Sequence, residues 1–205
     1  MKKLFTCAIM VLAAAFAANA QNTPECDAAI AKIAQANANY NTVTCKFTKT
    51  VNMAMMEKEL KSEGNFSYER PSKLKMEYTT PAGDLLQIDG DALTMISGKQ
   101  KRNSNVKGDG RMATLKNTLL LSVAGDVQGV ANENKAQITF EETPKYYIFT
   151  LAKGKGAKSQ YVELVLSYSK KDFSLCIMKM VEGNGNYTIY ETPVKEFNKI
   201  GRAHV

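Results

Sequence analysis

GNFSYERPSKLKMEYTTPAGDLLQIDG, residues 64–90, reads as three consecutive strands with their turns. Gly64, Phe66 and Tyr68 fall on one side of a period of two, with polar residues between them. Arg70-Pro71 turns the chain. Leu74, Met76 and Tyr78 then alternate with the outward Lys73, Lys75 and Glu77. Pro81-Ala82-Gly83 ends that strand, and Leu85–Asp89 runs into an Asp89-Gly90-Asp91 turn. A period of two puts every second side chain on one face, and short turns rich in Pro, Gly and Asp join neighbours antiparallel. The stretch therefore predicts an antiparallel sheet with one buried face.

The same logic extends in both directions. Upstream, Val43, Cys45, Phe47, Val51, Met53 and Met55 alternate with polar residues as one long strand, interrupted on its apolar side only by Lys49. Before it, Thr23-Pro24-Glu25 is a helix start: a capping hydroxyl, proline at the first helical position, then an acid. Cys26, Ala29, Ile30, Ile33 and Ala34 come next at helical spacing, to about Ala38. Downstream, Ala92–Ser97 and Lys99–Ser104 are short strands. Met112, Leu115, Leu119 and Leu120 then recur at helical spacing within Arg111–Ala124, and Gly125 and Gly129 loosen the chain beyond that helix. Strands resume at Ala136–Glu142, Tyr146–Ala152, Gln160–Ser169, Phe173–Val181 and Tyr187–Thr192, with hairpin turns at Lys170-Lys171-Asp172 and Gly183–Asn186. About eleven strands and two helices are thus expected, as one twisted sheet whose concave face the helices cover.

The N-terminus reads as a targeting segment. Lys2 and Lys3 precede an apolar run, Leu4–Ala17, and Ala18-Asn19-Ala20 is a small-x-small cleavage site. Residues 1–20 are expected to be a cleaved signal peptide, since spanning a bilayer takes about 20 apolar residues. Cys7 lies behind Phe5-Thr6, not the small-residue context of a lipidated cysteine. Residues 21–199 are expected to form one domain in an extracytoplasmic compartment. Residues 200–205 resemble a translated sequencing adapter and are expected to be non-native, which sets aside His204, the sole histidine.

Charge and composition exclude several classes. The formal net charge is +7, falling to +4 without Lys2, Lys3 and Arg202. The basic residues are scattered, with no cluster interleaved with aromatics, so nucleic-acid binding is not expected. Cys26, Cys45 and Cys176 form no Cys-x-x-Cys, so no zinc site is expected. An oxidising compartment permits one disulfide. Cys26–Cys45 is the pair closest in sequence, Cys45–Cys176 the alternative, and three buried free thiols a third arrangement. Without a native histidine no Ser-His or Cys-His nucleophile can be built, and there is no Gly-x-Ser-x-Gly. No enzyme, catalytic residue, metal or cofactor is expected.

A binding cavity is the better reading. Met53, Met55, Met56, Met76, Met95, Met112, Met178 and Met180 lie mostly on the apolar side of strands, and methionine suits variable apolar ligands. A sheet closed only by two short helices leaves an interior that side chains do not fill, a common ligand site. The candidate lining on the strands is Val43, Phe47, Val51, Met53, Phe66, Tyr68, Leu74, Met76, Tyr78, Leu86, Ile88, Met95, Met178 and Met180. The mid-chain helix adds Met112, Leu115, Leu119 and Leu120.

The Gly64–Gly90 stretch, with its glycine, alternating apolar residues, Arg-Pro, aromatic-ended strand, Pro and apolar strand into Asp89-Gly90, resembles the periplasmic outer-membrane lipoprotein carriers, the LolA-like proteins. The N-terminal helix and the strand around Lys46-Phe47-Thr48 extend the resemblance upstream. It implies an incomplete, half-open β-barrel covered by an N-terminal helix and a mid-chain helical lid. The implied protein is a soluble monomer of the periplasm that shields the acyl chains of lipoproteins. It would receive them from an inner-membrane ABC exporter and pass them to an outer-membrane acceptor. By itself Arg70 reads as a surface arginine before a turn proline. The resemblance makes it the arginine that hydrogen-bonds the lid and gates it. Tyr78 stands where many such proteins combine tryptophan and tyrosine, and this chain has no tryptophan. A carrier of another envelope lipid or glycolipid, or an envelope stress sensor of the same fold, remains open at this level.

Overall fold

The computed structural model describes residues 22–55, 59–108 and 110–198. The expected signal peptide, Met56 and the 200–205 tail with His204 lie outside the described residues.

The chain opens with α1 (Pro24–Ala38), where the Thr23 side chain accepts the Cys26 N–H and Pro24 occupies the first turn. Six strands come next: β1 (Thr42–Asn52), β2 (Leu60–Glu69), β3 (Lys73–Thr80), β4 (Ala82–Asp89), β5 (Ala92–Ser97) and β6 (Gln100–Asn105). Two helices, α2 (Arg111–Ala124) and α3 (Val127–Glu133), interrupt the sheet. It resumes with β7 (Gln137–Glu142), β8 (Tyr146–Ala152), β9 (Tyr161–Ser169), β10 (Leu175–Glu182), β11 (Tyr187–Glu191) and β12 (Lys195–Phe197).

All pairings are antiparallel, in the order β6-β5-β4-β3-β2-β1-β11-β10-β9-β8-β7. β1 is the pivot. One side of it pairs with β2 throughout. The other side pairs with β12 at Val43–Cys45 and with β11 at Thr48–Asn52. β6 and β7 remain edges, so the sheet is a half-open barrel, as the resemblance implied. The three helices pack on one another, and α2 buries Leu119 and Leu120 against the sheet's apolar face. Fully buried Phe149, Leu166 and Tyr168 anchor the second half, with the Tyr168 hydroxyl donating to the Ser122 carbonyl of α2 at 2.8 Å.

Three expectations change. α3 forms where Gly125 and Gly129 suggested a loose segment. Asp126 caps it by accepting the Gly129 N–H at 2.7 Å, and a Cβ at Gly129 would sit 2.4 Å from that carboxylate. A twelfth strand appears beyond Pro193, whose missing N–H hid it from a pattern reading. Finally, Met53 does not join the inner face. The β1–β11 ladder ends at Asn52–Tyr187, the Asn186 side chain takes the Ala54 N–H, and Met53 and Met55 are 40% and 100% exposed.

Candidate functional site

Beneath α2 lies an apolar chamber whose lining side chains leave about 50 Å³ of free space in this closed arrangement. Leu119 and Val123 form its roof. Val43, Phe66, Leu74 and Met76 supply one wall, and Leu175, Met178, Tyr190 and Phe197 the other. Its polar members are few, namely Asn37, Ser174, Thr192 and Lys195. The Asn37 amide is committed to the Ile33 and Phe173 carbonyls at 2.9 and 2.7 Å.

One end of the chamber is latched. Arg70 leaves the end of β2 and points beneath two helix C-termini. Its Nε donates to the Tyr40 carbonyl at 2.8 Å, and its Nη2 to the Asn37 and Ala124 carbonyls at 2.8 and 3.2 Å. The last carbonyls of a helix lack intrahelical partners and carry its negative dipole end, so a guanidinium suits them. Here one cation serves α1 and α2 together. Gly125 makes the approach feasible: its φ of +78° ends α2 in a left-handed cap, and a Cβ there would meet Asn37 at 2.8 Å. A second tie holds the other half of α2. Nearly buried Lys116 donates to Asp91 Oδ1 at 3.1 Å and to the Val106 carbonyl at 3.4 Å. Asp91, which the sequence places in a turn, thus fastens the β4–β5 turn to α2.

The sheet under the chamber is shaped by a missing side chain. Register stacks Phe47, Gly64 and Tyr78 across β1–β3. The Phe47 ring lies over Gly64 and meets Tyr78 edge-on, with centroids 5.1 Å apart.

The outer membrane lipoprotein carrier protein LolA family model matches residues 38–198. The chain belongs to the LolA family. A search of curated proteins found no match. Among solved structures, MucB superposes with a TM-score of 0.51 at 9% identity, covering 86% of this chain and 60% of that one. A DUF1329 family protein from Desulfovibrio piger gives 0.50 at 10% identity, covering 86% and 93%. A LolA superfamily protein from Nitrosomonas europaea gives 0.40 at 8%, covering 83% and 92%. At these identities the likeness is one of fold.

Within this LolA-family fold the sequence-derived lining divides. Val43, Phe66, Leu74, Met76, Leu119 and Met178 face the chamber. Phe47, Tyr68, Tyr78, Leu86, Ile88, Leu120 and Met180 are buried in the surrounding core. Met95, Met112 and Leu115 line a separate, more open groove between the β5–β6 hairpin and the start of α2. Val51 is half-buried on β1. Asn37, Gly125, Tyr190 and Phe197 were not anticipated. Tyr190 was legible as an inward position of its strand, whereas Asn37 and Gly125 carry no sequence signal for their meeting.

The Cys26–Cys45 pairing is not formed, and Cys26, Cys45 and Cys176 are each free. Cys26 lies in the first turn of α1, where Asn22 reaches Gln128 of α3. Cys45 lies in the sheet between β2 and β12, away from that helix. It faces Lys195 across the ladder, and Lys195 Nζ is 3.6 Å from Cys176 Sγ. Burial raises the Cys45 thiol to about 11, against a smaller opposing effect of Lys195.

Proposed function

We propose that this protein is a soluble periplasmic carrier that shields the acyl chains of lipoproteins and transfers them from an inner-membrane ABC exporter to an outer-membrane acceptor. The observation that carries the reading is the apolar chamber roofed by α2 and latched by Arg70 through the Asn37 and Ala124 carbonyls. Membership in the LolA family supports it. Arg70 is the proposed gate, and Leu119 and Val123 are the part of the lid that acyl chains would touch.

The energetics fit a carrier that must also release. Burying one CH₂ contributes about 0.8 kcal/mol, so a long acyl chain supplies on the order of 10 kcal/mol. Three hydrogen bonds from a guanidinium contribute a few kcal/mol to the closed, empty state. Loading displaces the lid and loses those bonds. Closure then helps expel the client, which lowers net affinity to a level compatible with handover.

The test is release of a lipoprotein from inner-membrane vesicles. With exporter and ATP present, added protein should yield a soluble complex with the lipoprotein. No soluble complex under those conditions would overturn the proposal.

A further inference from the structure

Lys49 is an inward-facing charge that the acyl-chain chamber does not explain. Lys49 lies on the inner alternation of β1, between Phe47 and Val51. Its ammonium sits 5.5 Å from the Tyr78 ring centroid and 5.9 Å from that of Tyr190, its cross-strand neighbour. Each tyrosine carries a hydroxyl that can donate one proton. Among the described residues Lys49 forms no ion pair. The acid that influences it is Asp84, and that carboxylate already accepts the Gly98 N–H at 2.7 Å and the Ser97 hydroxyl at 3.4 Å. Burial also pulls the ammonium below its ordinary range, as expected for a charge lacking a close counter-ion.

Register places Lys49 at a particular end. The Arg70 end of the inner face carries Val43, Tyr68, Leu74 and Ile88, directly opposed on successive strands and buried beneath the helices. Toward the other end the inner positions turn polar: Asp84 on β4, Ser97 on β5 and Gln100 opposite it on β6. Arg102, opposite Met95, lines the open groove there with Met112 and Leu115. The half-barrel thus has an apolar end buried beneath the helices and an opposite, open end that combines apolar surface with inward cations. That is the polarity of an amphiphile entering tail first.

We propose that the open end binds the anionic headgroup, carboxylate or phosphate, of an acyl-chain lipid, with Lys49 as its anchor and the Tyr78–Tyr190 pair as hydroxyl donor. The inference rests on the reading that the cavity takes acyl chains, and it names the class it favours: anionic over neutral amphiphiles. A cation behind two aromatic faces, partly desolvated, attracts an anion more strongly than an exposed lysine does. The tyrosine rings hold the ammonium in place while it waits for one.

The experiment uses the mature protein and two probes that differ by one phosphate group, oleoyl lysophosphatidate and monooleoylglycerol, each competing with an uncharged fluorescent amphiphile. Lysophosphatidate should bind about tenfold more tightly at low salt. The preference should vanish in Lys49→Gln, persist in Lys49→Arg and shrink as salt rises. Equal binding of both probes by the unaltered protein would overturn the anchor and leave the cavity reading standing. Binding of neither would sink the cavity reading itself, and the anchor with it. A preference that survives in Lys49→Gln would remove the assignment from Lys49. Displacement of lysophosphatidate by millimolar inorganic phosphate alone would show a site for free anions instead of lipids.

Discussion

Arg70 Nη2 lies 3.2 Å from the Ala124 carbonyl and 2.8 Å from that of Asn37, so one side chain from the β2–β3 turn closes two helix C-termini at once. The ends of α1 and α2 are therefore not independent. Moving α2 off the chamber requires Arg70 to give up at least one carbonyl, which returns to water or to nothing.

Replacing Arg70 with leucine should leave client bound but slow its transfer to acceptor membranes. On the proposed carrier reading, the substitution removes the hydrogen bonds that favour the empty, closed state and leaves the apolar lining intact. Stability should fall by about 2 kcal/mol in urea unfolding, because charge-assisted hydrogen bonds are lost and helix carbonyls are left unpaired. Transfer at the original rate would make Arg70 a structural residue only.

Gly64→Ala is expected to be among the most damaging small substitutions. A Cβ there would lie 2.2 Å from the Glu77 carbonyl oxygen and 2.7 Å from the Phe47 ring. The clash is with backbone on one side and a buried ring on the other, so neither yields cheaply. A loss of about 3 kcal/mol is expected, read from the shift in urea midpoint. Gly90→Ala, with open space around it but a φ of +59°, should cost about 1 kcal/mol through backbone strain alone.

Asp91→Ala should loosen the lid from its other end. Lys116 would keep only the Val106 carbonyl at 3.4 Å in a nearly buried position. Because Asp91 is itself half-exposed, the cost should be about 1–2 kcal/mol, below that of a fully buried pair. Hydrogen exchange in α2 should accelerate more than in β8 or β9, and a uniform acceleration would count against a local tie.

Alkaline pH should destabilise the fold through groups that hold their protons more tightly when folded. Burial raises Tyr168, which donates to Ser122, far above its ordinary value of 10, and it raises Cys45 to about 11. The unfolded chain ionises both near their ordinary values. Their contribution is therefore complete below pH about 9 and is lost as pH climbs through the folded values. The melting temperature should be insensitive to these groups between pH 7 and 9 and fall above. Tyr168→Phe should lower stability by about 1 kcal/mol at pH 7 and blunt the alkaline fall.

The thiols offer a chemical check. Alkylation of denatured, unreduced protein comprising residues 21–199 should add three equivalents, one each at Cys26, Cys45 and Cys176. In the native protein Cys45 should label slowly at pH 8, since little of it is thiolate when its value is about 11. A single equivalent in the denatured sample would show a disulfide.

The strands were legible because each carries its burial in its own alternation. Phe66 and Tyr68, or Leu74, Met76 and Tyr78, are buried as their period of two requires. α2 was located correctly, yet its inner face was only half read. Leu119 and Leu120 are buried as expected, whereas Met112 and Leu115 border the open groove, and Thr114, Lys116, Thr118 and Ser122 are buried as well. A helix wedged between a sheet and two other helices buries more than one stripe, which a single-face period does not describe. α3 and β12 were missed because a glycine and a proline, read as breakers, are accommodated by an aspartate cap and by a strand end.

The sequence by itself determined the antiparallel sheet, its turns, the helix that interrupts it and the family resemblance, because these depend on periodicities and turn residues within a few positions of one another. Only the tertiary structure decided what Arg70 touches, which cysteines are neighbours, which apolar residues face unfilled space, and that Lys49 stands at the open end. Each of those depends on residues tens to more than a hundred positions apart meeting across the pivot strand β1 or beneath α2. Such meetings are set by sheet register and helix packing, and no local pattern encodes them.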